Sequence, residues 1–297
     1  QKFDQINLSI NDISTYQTDK YWIAEGSKGL RSIQRKGSNS FEALNEPIIL
    51  DGPYSNSAFD IVCKNDKVYM IIGGKDLLNG KRFDKGGYIL TYDYDKWSFI
   101  DPKEAQKKLN LPRNPRDYTS IAVTTDDSND EIVYASSMGD GVIQYKNGTP
   151  VQSYNEKNAF KETAGGYGSG YCYIDGLAFD KNGNLWMTSS EVNHAVLVLD
   201  KAGAWHRLDI EQLRGVYTIN DILITSTNDK WIYVPRNTPK LVMIPNSESL
   251  DEVSSYEFTT LIDTDGKELT PSNYTCVAED KDGYIWVGTN RGAVYFT

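Results

Sequence analysis

The chain has 297 residues, 39% of them hydrophobic and 24% charged, with a net charge of −10 at neutral pH. That acidity argues against general nucleic-acid binding, which depends on neutralising phosphates, and no apolar run approaches the roughly 18 residues of a membrane span. Three cysteines without a C-x-x-C pair, and two histidines twelve residues apart (His194 and His206), argue against a His/Cys-rich metal centre, and no cofactor is implied.

In chain order, QKFDQINLS (Gln1–Ser9) alternates Phe3, Ile6 and Leu8 with polar residues and reads as a lone strand ahead of the first repeat. A first unit follows, with a strand at Ile10–Thr15 and TYQTDKYWIAEGSKGLRSI (Thr15–Ile33). CKNDKVYMIIGG (Cys63–Gly74), GGYILTY (Gly86–Tyr92) and KWSFI (Lys96–Ile100) make a second unit. DPKEAQKKLN (Asp101–Asn110) then predicts a short helix, with Asp101 as N-cap, Pro102 at the first helical position and Glu104 in the first turn. A third unit lies at Asp127–Tyr145, and a glycine- and tyrosine-rich loop, Thr163–Gly176, leads into the fourth. That fourth unit is the clearest: strands Ile174–Asp180, LWMTSS, Ala195–Asp200 and Trp205–Ile210, joined by the turns KNGN and KAGA. The fifth covers Ile224–Ile244. The sixth supplies only three strands, Tyr274–Asp280, Tyr284–Gly288 and Gly292–Phe296.

Trp22, Tyr69, Tyr134, Trp186, Trp231 and Trp286 occupy matching places in these units, 47, 65, 52, 45 and 55 residues apart. Irregular spacing near fifty, with four strands per unit, predicts an all-β fold: a single β-propeller of about six blades over residues 1–297. A seventh blade hidden in Leu50–Ala58 or Glu156–Tyr173 is the alternative. A three-stranded last unit beside an orphan first strand predicts closure, with Lys2–Leu8 pairing antiparallel to Gly292–Phe296. A chain opening on Gln1 reads as trimmed and as part of a longer protein.

Strand alternation gathers the connections between second and third strands, and between units, on one face. The long ones (Leu50–Ala58, Lys75–Lys85, Asp101–Tyr118, Glu156–Tyr173, Glu211–Thr218, Ile262–Asn273) all belong there, so that loop face is where binding is expected. The segment Lys75–Arg116 carries ten basic residues against six acidic ones. The candidate ligand-binding residues are therefore Arg82, Lys107, Lys108, Arg113 and Arg116 as an anion patch, Tyr167 and Tyr171 from the Gly/Tyr loop, and His194, Arg236 and Arg291 from other loop-face connections. A solvated face is the plainer reading of the basic segment. No GxSxG, HExxH or phosphate-binding glycine loop is present, and most aspartates sit in Asp-Gly turns, so no catalytic residue is assigned.

DGLAFDKNGNLWMTSS and AEDKDGYIWVGTNRGAVYF resemble the two-component regulator propeller repeat of Bacteroidetes surface proteins. GGYILTYDYDKWSFI, TSIAVTTD, DGLAFDKNGNLWM and the terminal repeat, in that order, are similar to the PorZ-type propeller proteins of the type IX secretion system. That resemblance implies an extracytoplasmic protein at the outer-membrane surface, of two propellers plus a further domain, whose partners are the sortase machinery and anionic lipopolysaccharide. This sequence departs from it in holding one propeller's worth of repeats. The function expected is a non-catalytic scaffold that recognises a protein partner or an anionic glycan. A periplasmic glycan-sensing half of a hybrid two-component regulator and a polysaccharide-cleaving propeller enzyme are the alternatives.

Overall fold

The structure, a computed structural model, describes residues 12–24, 29–38, 40–46, 48, 52–77, 79–93, 96–160, 170–262 and 264–296. Its contacts divide into two units, Gln1–Gly52 and Pro53–Thr297. The first holds an antiparallel meander of β1 (Asp12–Gln17), β2 (Lys20–Ala24), β3 (Leu30–Arg35) and β4 (Phe41–Ala43). Ile23 and Ile33 are buried in it, and Ser32 is anchored through its Oγ and N–H to Asn45 Oδ1 at 2.6 and 2.7 Å. Residues 1–11 lie outside the described set, so the expected pairing of Lys2–Leu8 with the last strand does too.

The second unit repeats the meander. Its sheets are β5 (Ala58–Lys64), β6 (Lys67–Ile72), β7 (Ile89–Tyr92), β8 (Trp97–Ile100); then, after α1 (Pro102–Leu109), β9 (Tyr118–Thr125), β10 (Glu131–Gly139), β11 (Gly141–Lys146), β12 (Thr149–Tyr154). β13 (Cys172–Phe179), β14 (Leu185–Ser189), β15 (Val196–Leu199) and β16 (Trp205–Leu208) follow, and then β17 (Ile222–Ile224), β18 (Lys230–Val234), β19 (Lys240–Ile244) and β20 (Tyr256–Phe258). A small hairpin, β21 (Leu261–Ile262) and β22 (Glu268–Leu269), precedes β23 (Tyr274–Glu279), β24 (Ile285–Thr289) and β25 (Gly292–Phe296). Among the described residues of the two segments where a seventh blade could hide, no strand occurs between Gly52 and Ser57 or between Asn155 and Phe160. The end of β10 leaves its own sheet and pairs with β13 through Met138↔Tyr173 and Gly139↔Cys172.

The repeat motif has a local cause. Asp180 Oδ1 accepts from the N–H groups of Asn182 and Asn184 (2.9 and 2.8 Å), while Oδ2 accepts from Asn184 Nδ2 and Trp186 Nε1 (2.8 and 3.0 Å). Asp280 does the same for Asp282, Tyr284 and Trp286 at 2.9, 3.0 and 2.7 Å. One carboxylate thus closes the turn and orients the tryptophan six residues on, which is why the spacing recurs. The helix behaves as its caps dictate: Asp101 Oδ1 accepts from Lys103 N at 2.9 Å, and Asn110 ends it in the left-handed conformation (φ 51°).

Apolar packing runs between successive sheets. Tyr69, Ile89, Tyr118, Val133 and Tyr145 join the sheets of β5 and β9, and Ile132, Cys172, Leu185 and Leu197 join those of β9 and β13. Trp186, Val196, Ile222 and Ile232 join those of β13 and β17, while Trp231, Leu241, Tyr274 and Val287 join those of β17 and β23. The first strands of these meanders lie beside one another in order, β5, β9, β13, β17 and β23. They are the inner strands, and all run away from the loop face. Close approach there needs small residues: a Cβ on Gly73 (φ 140°) would lie 2.3 Å from Tyr118 N.

Candidate functional site

Because the inner strands are parallel neighbours, the residues at their starts meet at one level. Asp60 of β5, Thr119 of β9, Asp175 of β13 and Asn220–Asp221 just before β17 line a cavity of about 200 Å³, with Phe59, Lys75, Leu77 and Tyr233 completing its wall. The inner strands are stitched across at this level. Asp60 Oδ2 accepts from Ile121 N of the next sheet at 3.1 Å, Thr119 Oγ1 donates to Ile174 O at 2.6 Å, and Ser120 Oγ accepts from Leu177 N at 3.2 Å. Gly176 leaves room for the last junction, since a Cβ there would lie 2.7 Å from Ile222 N and 2.8 Å from Asp221 Oδ1.

Lys75 enters from the β6–β7 connection. Its ammonium pairs with Asp175, donates to Ile219 O at 3.0 Å and lies 5.1 Å from the centre of the Tyr173 ring. The Lys75 and Asp175 side chains are 3% and 1% exposed. Burial pushes the Asp175 carboxyl up, and Lys75 together with the Ser190 hydroxyl pulls it back. Asp60 is raised by burial against the pull of the Ile61 and Ile121 N–H groups. Asp221 reaches solvent at the cavity mouth, yet protein crowds it on its other sides; that crowding, and then the Asp60 charge, lift its carboxyl to about 7. Asn220, 3% exposed, lines the same cavity; its amide nitrogen interacts with the Tyr233 hydroxyl, and its amide oxygen has no hydrogen-bond donor.

Four of the residues singled out by sequence come together beside this cavity's rim. Arg82 pairs with Asp117 (Nε, 3.2 Å) and Asp84 (Nη2, 3.0 Å), and its guanidinium also interacts with the Tyr171 hydroxyl. Arg113 holds Asp140 through Nε and Nη2 at 2.8 and 2.7 Å, and the Arg116 N–H donates to Asp140 Oδ2 at 3.1 Å. Tyr171, buried, meets Tyr173 edge-on at 6.3 Å. Thus Arg82 and Arg113 serve internal carboxylates, and the Arg116 side chain remains exposed. Lys107 and Lys108 are exposed on α1, which packs beside β12. His194 lies apart from this cluster, near Cys172 and Arg207, while Arg236 is half-buried after β18 and Arg291 is exposed between β24 and β25. Tyr167 lies outside the described residues.

Sequence reasoning passed over Lys75, Asp60, Asp175, Asn220 and Asp221 as site residues. A usable signal was present: an aspartate opens the inner strand in F-D-I-V, I-D-G-L and N-D-I-L, at similar distances from the anchoring aromatic.

This architecture is a β-propeller. The two component regulator propeller model matches residues 268–291, from β22 to the β24–β25 turn. PorZ, described as an essential bacterial surface component of the type-IX secretion system of Porphyromonas gingivalis, superposes with a TM-score of 0.76 at 20% identity over 97% of this chain. The chain spans 38% of that structure's length. An ancestral GH74 enzyme gives a TM-score of 0.50 at 15% identity, over 97% of this chain and 39% of its own. The extracellular domain of BT4673 from B. thetaiotaomicron gives 0.38 at 15% identity, over 96% and 40%. No curated protein matches the chain in sequence. Likeness at these identities establishes fold, and fold alone does not assign function. Among the described residues, no helix is long and apolar enough to cross a membrane.

Proposed function

We propose that the chain is a non-catalytic, extracytoplasmic binding scaffold that docks a macromolecular partner on its loop face, at the mouth of the inner-strand cavity. The observation that carries this reading is the cavity itself: ionisable and buried polar side chains from four sheets meet where the long connections gather. Likeness to PorZ, a bacterial surface component, supports the setting. Of the five basic candidates in the anion patch, Arg116, Lys107 and Lys108 are exposed and available to an anionic glycan at the periphery, since Arg82 and Arg113 already have carboxylate partners. The test is a binding screen of the intact chain against bacterial polysaccharides, lipopolysaccharide and peptides, repeated with Leu77→Trp to obstruct the mouth. Loss of the captured ligand on obstruction supports the assignment; unchanged binding places the site elsewhere.

One observation favours a second reading. A carboxyl held near neutrality (Asp221), close to two other carboxylates, is the composition of a glycosidase acid–base pair. Against it, Asp175 is tied to Lys75 and Ser190, and Asp60 is engaged by two backbone N–H groups. Release of reducing ends from any polysaccharide, abolished by Asp221→Asn, would establish the enzymatic reading instead.

A further inference from the structure

The loop-face cavity is built for a cation. Its wall presents three carboxylates, Asp60, Asp175 and Asp221, against the single ammonium of Lys75, so an anionic group entering it meets net repulsion in a partly dehydrated space. Lys75 already shows what this wall accommodates. A primary ammonium there is taken up by a carboxylate, a backbone carbonyl and an aromatic face at once. Lys75 pairs directly with Asp175 and attracts Asp221 only at longer range, so Asp60 and Asp221 line the same cavity without a contact ion pair of their own. Beside them sits Asn220, nine-tenths and more buried, its amide nitrogen turned to the Tyr233 hydroxyl and its amide oxygen without a hydrogen-bond donor. A buried amide oxygen left open is costly unless something supplies the missing donor, and an entering N–H group would supply it.

Geometry narrows the cation further. Among the described residues no three His, Cys, Asp or Glu side chains converge closely enough to hold a metal ion. The acceptors are spread around about 200 Å³ and alternate with apolar surface from Phe59, Leu77 and Tyr233. That arrangement suits a group with several N–H donors on an apolar stem, whose methylenes pack on the rings while the charged tip reaches the carboxylates. We infer that this cavity receives a guanidinium or alkylammonium group, carried by the partner that docks on the loop face. The inference rests on the scaffold reading above and names the chemistry of its central contact.

The test uses the intact ¹⁵N-labelled chain and three probes: N-acetyl-arginine methylamide, spermidine and N-acetyl-glutamate methylamide. The two cations should give saturable amide shifts at Asp60, Asn220 and Asp221. Asp221→Asn and Asp60→Asn, each isosteric, should weaken them about tenfold, the size of one lost charge-assisted contact. Leu77→Trp, at an exposed position, should obstruct entry without touching a carboxylate. Tighter binding of the arginine probe supports a protein side chain as the group the partner carries, and tighter binding of spermidine overturns the partner-borne group in favour of a free polyamine. Cation shifts that are absent, or that survive both Asp→Asn variants, overturn the inference. Shifts at the same amides from the glutamate probe overturn it while leaving the loop-face reading intact, and no binding by any probe or polysaccharide sinks both.

Discussion

Replacing Lys75 by methionine keeps the stem and removes the charge, leaving Asp175 alone in a site where its side chain is 1% exposed. The ammonium's bonds to Asp175 and Ile219 O and its contact with the Tyr173 ring all disappear, while Ser190 Oγ remains on Asp175. Breaking such a buried pair costs about 3–5 kcal/mol. A ceiling follows from protonation. Instead of holding a bare charge, Asp175 can fold as the neutral acid, and taking up that proton at pH 7.5 from an ordinary value near 3.9 costs about 5 kcal/mol. At pH 5.5 the same ceiling is about 2 kcal/mol. The sign is that of a carboxyl raised in the folded state: the native variant binds the extra proton, so its deficit grows as pH rises above the unfolded value and shrinks as pH falls. For a chain of this length the pH 7.5 loss corresponds to a fall of about 6–10 °C in melting temperature. Calorimetric melts of both proteins at pH 7.5 and 5.5 read this directly. Adding Asp175→Asn to Lys75→Met should recover part of the loss, because the orphaned charge goes with it. A fall under about 2 °C at pH 7.5, or an equal fall at both pH values, would refute the argument that the pair is buried and mutually dependent.

Asp180→Ala strips four donors of their acceptor, with Asp180, Asn184 and Trp186 all buried, and should cost about 3 kcal/mol in denaturant unfolding; the equivalent Asp280→Ala, where the bonds are exposed, should cost less. Cys172 is buried, its thiol pushed up to about 12 by desolvation, whereas Cys63 and Cys276 are exposed. Iodoacetamide on the native chain should therefore label two sites by mass spectrometry, and labelling of Cys172 would contradict its packing. If the cavity takes a cation, affinity for the arginine probe should rise between pH 6 and 8 as Asp221 ionises. The groups facing Asp221 are Asp60, Asp175, Lys75 and Tyr233, and in Asp221→Asn the affinity should stay flat across that range.

Much of the frame was legible in the sequence because it is local. Asp180 and Trp186, six residues apart, are joined by one hydrogen bond, and the Asp101 cap lies two residues from the N–H it holds. Such contacts leave a fixed spacing that repeats, and strand alternation then places the long connections on one face. The site was decided at longer range. Lys75 and Asp175 are 100 residues apart, and Arg82 and Asp117, its neutralising partner, are 35 apart. Read linearly, Lys75–Arg116 is a basic segment. Folded, two of its arginines are taken up by Asp117 and Asp140, its first lysine is drawn into a carboxylate cavity, and the centre of the loop face carries the opposite charge. Charge adds along a chain, but the field at a site depends on which charges the packing of successive sheets brings within a few ångströms and removes from water, and only the tertiary structure sets that.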